Sequence, residues 1–290
     1  MFINDLPNIV NHLSIQMFAY DITLYGILEN SIESRDKIQS DLNNILDWFQ
    51  KFQLSLSLHK CVALLLTHSK ISPEFKIPFS FEYFNIPFVS TFRDLGIQFS
   101  DNLKFSSHIE SIVSKAHLTS NCILRSFPTN NSSLLVSLFK TFVRSKIEYA
   151  SQIWNPHRKK EINLIERVQR KFTKRLSICK NLNYNERLQK LDLDTLEIRR
   201  IKLDLYLVYK IIHHLVDIPE KFFKFSKLAT RGHSLKIVHD SSSTNIRRYF
   251  FTVKLPFIWN SLPTNVVSSS NFLSFKNNLD TIDLNLYCNS

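Results

Sequence analysis

The densest chemistry in this sequence is cationic. From Arg158 to Arg175 the chain carries eight basic side chains, Arg158, Lys159, Lys160, Arg167, Arg170, Lys171, Lys174 and Arg175, against Glu161 and Glu166 alone. Ile162, Ile165, Val168 (or Phe172) and Leu176 recur through the same stretch at helical spacing. Arg167, Arg170, Lys171 and Lys174 then fall on the face opposite Ile165 and Phe172. Such a ridge can lie along a phosphate backbone. Each neutralised phosphate releases condensed counterions, so binding is strong at low salt and falls steeply as salt is added. The same pattern also describes a helix that shows its charges to water and buries its apolar side, and the two uses are compatible.

The charge of the whole chain is +12, and it is unevenly spread. Residues 1–110 hold 8 basic and 12 acidic side chains, whereas residues 111–290 hold 29 and 13. That asymmetry points to a polyanionic partner for the later residues. Other chemistries are excluded by composition. With 3 glycines in 290 residues, no G-x-G-x-x-G or Walker loop can be drawn from Gly26, Gly96 and Gly232. Cysteines 61, 122, 179 and 288 stand far apart, with no C-x-x-C and no histidine at zinc spacing. Reduced thiols in an intracellular protein are expected, in the nucleus or the cytoplasm. No targeting signal is legible, because Asp5 and Pro7 interrupt the N-terminus. No apolar run approaches the roughly 20 residues of a membrane span, so no membrane partner is expected.

The elements that must position these groups divide into two styles, an α+β arrangement. In the first hundred residues, apolar runs flank Tyr20-Asp21, which predicts a hairpin over 14–26 with its tight turn there. Ile38, Leu42, Ile45, Phe49 and Phe52 predict a helix, capped by Ser31 or Ser34 with Asp36 in its first turn. Alternation of leucine and serine predicts a strand over 54–67. A hairpin is expected over 77–89 and a short strand over 95–99. After residue 105 helical periods take over. One is marked by Ile109, Ile112, Ala116, Ser120 and Ile123 after a cap at Ser106 or Ser107. A second, opened by Ser132-Ser133, runs through Leu135, Leu138, Phe139, Phe142, Val143 and Ile147. The basic helix is the third. Ile201, Leu205, Val208, Ile212 and Leu215 mark the fourth. From Phe222 on, Pro256 and Pro263 break the pattern and no strong period survives.

Several short motifs occur in an order that resembles one known family. Ile3-Asn4-Asp5-Leu6-Pro7 is followed by Phe18-Ala19-Tyr20-Asp21 with Thr23-Leu24-Tyr25, then Leu42 to Trp48, Lys60-Cys61 and Leu95-Gly96. Val143 to Pro156 reads V-R-S-K-I-E-Y-A-S-Q-I-W-N-P, and Glu166 to Lys174 reads E-R-V-Q-R-K-F-T-K. Thr230-Arg231-Gly232-His233 and Trp259-Asn260-Ser261-Leu262-Pro263 close the series. Together these resemble the reverse transcriptase of jockey-like non-LTR retrotransposons across nearly the whole chain. The resemblance implies a truncated polymerase palm of β-hairpins plus helix over 1–104, a basic, helical thumb over 105–220 and a C-terminal extension over 221–290. It further implies a template-primer-like RNA or DNA duplex as partner.

The family's polymerase reaction uses two Mg²⁺ ions held by carboxylates. One carboxylate comes from the F-A-D-D turn and another from a strand well upstream. Here the first Asp of the turn is Tyr20, and the upstream Asp is expected to be missing because Met1 falls just before the Ile-Asn-Asp-Leu-Pro segment. Asp21 is left as a remnant metal ligand and catalytic residue, or as a turn residue favouring its local backbone. Lys60 matches the family's proton donor to pyrophosphate, although the asparagine three residues earlier is Ser57. Three readings follow: a reverse transcriptase fragment inactive alone, a non-catalytic nucleic-acid-binding module, or a transposon relic without selected function.

Overall fold

The computed structural model describes residues 2–29, 31–67, 77–218, 222–226 and 232–288. Helices dominate and the strands form antiparallel hairpins, which is compatible with the α+β class. The chain separates into two compact units, 1–104 and 105–290.

The first unit opens with a 3-10 turn, Phe2–Ile9, and a hairpin of β1 (Ser14–Phe18) and β2 (Asp21–Tyr25). The hairpin lies where the alternation predicts it, but its turn is Ala19-Tyr20 rather than Tyr20-Asp21. Ala19 takes the left-handed conformation (φ 54°), and Asp21 is the first residue of β2, facing Phe18 across the ladder. Helix α1 (Ile32–Lys51) follows, with Ser31 as its cap and Glu33 as the acid of its first turn. Its stripe buries Ile45, Trp48 and Phe49 with Leu6, while Leu42 packs with Phe79, Phe81 and Ile86.

A polar residue fixes the approach to β1. The fully buried Asp41 accepts backbone N–H groups from Asn11 (3.1 Å), His12 (2.7 Å) and Leu13 (2.8 Å). The predicted strand over 54–67 is absent among the described residues. Leu58–Lys60 form a 3-10 turn, and Ala63 makes a single parallel bridge to Phe88. Leucines spaced by serines therefore pack from a loop, in which Leu56, Leu58 and Ala63 touch the core. The hairpin within 77–89 is β3 (Phe79–Phe81) with β4 (Phe84–Ile86). Residues 95–99 split differently from the expectation. Leu95 (φ 43°) and Gly96 (φ 88°) make the turn between β5 (Thr91–Asp94) and β6 (Ile97–Ser100), a two-residue loop that needs left-handed backbone twice. The three hairpins stay separate sheets among the described residues.

The second unit is helical. Its first elements are α2 (Ser106–Ser126), α3 (Ser132–Leu138), α4 (Ser145–Glu148), α5 (Ser151–Trp154) and α6 (Lys159–Lys174). After these come α7 (Tyr184–Leu191), α8 (Leu196–Ile212), α9 (Asn245–Arg248), α10 (Phe251–Ser261), α11 (Thr264–Val267) and α12 (Phe272–Asp280). The second predicted helix is continuous from α3 to α4 through a π turn, Phe139–Arg144. Two caps differ from expectation. Asn131, not Ser132-Ser133, caps α3, and neither Ser106 nor Ser107 caps α2, which starts after Phe105 without a side-chain cap.

One core gathers α2 to α7 around Ile109, Phe139, Trp154, Ile165 and Phe172. Another joins Ile201, Leu205 and Tyr209 of α8 to Leu255, Trp259, Phe275 and Leu279. Helix α8 thus serves both cores, and Phe223, Ile237 and residues of α10 to α12 pack with it. The break expected at Pro256 does not occur. Pro256 lies inside α10, where burial of Leu255, Ile258 and Trp259 outweighs the lost backbone hydrogen bond.

Candidate nucleic-acid interface

Helix α6 carries the ridge because its two sides differ so strongly. Ile162, Ile165, Val168 and Phe172 are buried, which turns the intervening cations outward. All eight basic residues predicted as contacts, Arg158, Lys159, Lys160, Arg167, Arg170, Lys171, Lys174 and Arg175, are exposed. The surface extends onto α2, which packs against α6. Burial holds His117 of α2 below the usual histidine range, and the Lys171 and Arg167 charges add to the effect. The Arg175 guanidinium donates to Asn121 Oδ1 at 2.8 Å. The Arg170 guanidinium lies 4.9 Å from the centre of the Tyr184 ring, so that residue has a structural contact as well as an exposed charge.

Behind the ridge lies a buried polar network that the sequence reading missed. Glu166, 4% exposed, accepts hydrogen bonds from the Tyr184 hydroxyl and from the Leu196 backbone N–H (2.9 Å). Gln169 Nε2 donates to Tyr184 Oη (3.1 Å) and to the Asp194 carbonyl (2.9 Å). Burial raises the Glu166 carboxyl above its ordinary range, and burial with the Glu166 charge raises the Tyr184 phenol. A cavity of about 30 Å³ lined by Ile162, Asn163, Glu166, Arg170, Thr195 and Glu197 has room for water and none for a nucleotide. The signal in the sequence was a polar residue beside each apolar stripe position, Glu166 after Ile165 and Gln169 after Val168.

The other motif residues are architectural too. Glu148 binds Arg199 through two hydrogen bonds (2.9 and 3.1 Å) and lies 3.5 Å from Arg144. Asn155 bridges buried groups of α8, accepting from Arg200 Nε (3.1 Å) and donating to Asp204 Oδ2 (3.0 Å). Of Thr230-Arg231-Gly232-His233, the first two residues lie outside the described residues. His233 meets the Trp259 carbonyl at 3.1 Å, and Trp259 Nε1 donates to the Leu235 carbonyl (2.8 Å). Asn260 pairs with the Ile237 backbone in both directions (2.9 and 2.8 Å).

The Asp204 environment makes a pH prediction. Burial pushes its carboxyl up to about 7, against the opposing pull of Lys254, Asn155 and Arg200. A raised carboxyl pKa means the folded chain holds its proton more tightly than the unfolded chain. Its contribution is therefore full below about pH 4 and is lost as pH rises through about 7. Between pH 5 and 8, Asp204→Asn should gain about 2–3 kcal/mol on the wild type, a relative rise of roughly 5–10 °C in Tm. Parallel melting curves of the two proteins across that range check it. A constant difference would contradict it.

The residues matched to polymerase chemistry are placed differently. Asp21 is exposed at the start of β2, next to Tyr20, which is 93% exposed. Lys60 is exposed at the end of a 3-10 turn rather than on a strand. Among the described residues, no three His, Cys, Asp or Glu side chains are grouped to hold a metal ion. Also among them, no helix is long and apolar enough to cross a membrane.

The chain is similar to an uncharacterized protein of Caenorhabditis elegans, 28% identical over 146 residues, which cover 45% of this chain and 74% of that protein. No family model and no solved structure matches the chain.

Proposed function

We propose that the chain is a non-catalytic fragment of a reverse transcriptase like those of non-LTR retrotransposons, and that its retained activity is sequence-independent binding of a template-primer-like duplex. The observation that carries this reading is the exposure of all eight cations from Arg158 to Arg175, along one helix and its two caps, while Ile162, Ile165, Val168 and Phe172 on the opposite side are buried. The ordered motifs supply the family resemblance, with 1–104 read as partial palm. The thumb is read over 105–220 and the extension over 221–290. The intracellular setting, nuclear or cytoplasmic, follows from such a partner.

The described residues do not fit the family's Mg²⁺ pair. Asp21 is a single carboxylate beside a phenol, a poor ligand for a hard cation, and one carboxylate cannot seat two such ions. Lys60 then has no metal-bound pyrophosphate to protonate, and no step of nucleotide transfer is assigned to this chain. The test pairs binding with primer extension. Several duplexes of unrelated sequence should bind with affinities within roughly threefold of one another, because phosphate contacts carry no sequence information. No extension should occur with Mg²⁺ or Mn²⁺. Absence of duplex binding at low salt would overturn the binding reading, and extension lost in Asp21→Ala would restore a catalytic one.

A further inference from the structure

A second cluster lies at the start of α6, where two segments far apart in sequence meet. The His157 and Tyr249 rings stack with centroids 4.1 Å apart and planes 2° from parallel. Tyr249 and Phe250 are each 37% exposed. The Arg247 guanidinium sits 5.6 Å from the centre of the Phe250 ring. Arg158, Lys159 and Lys160 on one segment and Arg247 and Arg248 on the other are exposed. The Lys254 charge is felt at His157 alongside that of Arg158, and burial leads in holding this imidazole below the usual histidine range. The carboxylate felt there is Glu161, which accepts the Ser106 hydroxyl. Exposed cations on both segments thus accompany an aromatic plate, the Tyr249 ring backed on one face by His157 and followed in the chain by Phe250, both of them partly open to solvent.

We propose that this surface is a docking platform for single-stranded nucleic acid, with an unpaired base stacking at Tyr249 and Phe250 and its phosphates held by Arg158, Lys159, Lys160, Arg247 and Arg248. The inference rests on the reading of α6 as a backbone-binding face and adds the strand state of the nucleic acid. A duplex keeps its base faces stacked inside and can use only the cations. A single strand uses the plate as well, and base–aromatic stacking is sequence-tolerant because every base has a π face. The platform therefore fits the unpaired strand that continues from a duplex end.

The test uses the full chain and fluorescence anisotropy with labelled oligo(dT), oligo(U) and a duplex. Tyr249→Ala is expected to weaken binding of both single strands by roughly tenfold. Duplex binding should stay within roughly twofold, and Tyr249→Phe should restore the single-strand affinity. An equal loss on duplex and single strands, or no loss on either, overturns the platform. The two arms also separate the readings, since duplex affinity reports on the α6 ridge and the ratio of single-strand to duplex affinity reports on Tyr249. If circular dichroism shows Tyr249→Ala unfolded, photocrosslinking of a 5-iodouracil oligonucleotide to the wild-type chain decides. Crosslinks at Tyr249 or Phe250 support the platform, and crosslinks confined to 167–175 overturn it.

Discussion

Changing Arg167, Lys171 and Lys174 together to glutamate is expected to lower duplex affinity by roughly 10³-fold near 0.1 M salt. Each lost phosphate contact removes about 0.9 from the log–log salt slope, so three contacts alone account for between 10² and 10³ at that concentration. The reversed charges then add repulsion. All three side chains are exposed and outside the core, so the helix keeps its packed face of Ile162, Ile165, Val168 and Phe172. Arg170 is left unchanged because it stacks on Tyr184. Anisotropy with one duplex, alongside circular dichroism to confirm the helical signal, measures the effect. A loss under threefold would remove the ridge from the account.

Glu166→Ala is expected to destabilise residues 105–290 by about 3–5 kcal/mol, the scale seen when one member of a buried hydrogen-bonded charge network is removed. The substitution takes away the acceptor for the Leu196 N–H, at the first residue of α8, and for the Tyr184 hydroxyl of α7. It also removes a negative charge felt by the fully buried Arg200. Three helices lose a shared anchor in one step. Thermal melting should fall by roughly 10 °C or more, and Glu166→Gln should lose less because it keeps an acceptor oxygen. An alanine variant melting with the wild type would show that the network contributes little.

Helical periods were legible wherever one stripe faced one core. The stripes of α1, α2, α6 and α8 sit where Leu42, Ala116, Ile165 and Leu205 place them. The hairpin at Ala19-Tyr20 was legible because apolar runs flank a short polar break. Its turn slipped by one residue, since Ala19 rather than an obvious turn former takes the left-handed position. Leu54 to Thr67 alternates like a strand yet forms a loop, because packing of a few leucines does not require a ladder. Helix α10 hid behind Pro256, whose local cost is overridden by tertiary burial. Helix α7 was missed although Asn183 and Glu186 form a capping box, a signal present in the sequence.

Of the candidate site, the cations were readable by type and spacing. Their support was not, because Gln169 meets Tyr184 across 15 positions and Asn155 meets Asp204 across 49. The meeting of His157 with Tyr249 had no local signature either, being set by how the later helices fold back onto α8.

The central claim is that the exposed face of α6 binds phosphate backbone, and the salt dependence of duplex affinity tests it most directly. Association constants measured between about 50 and 200 mM salt should give a steep negative log–log slope for the wild type. Arg167→Ala, Lys171→Ala and Lys174→Ala combined should flatten that slope by about 2–3 units. The same slope in both proteins would contradict the account.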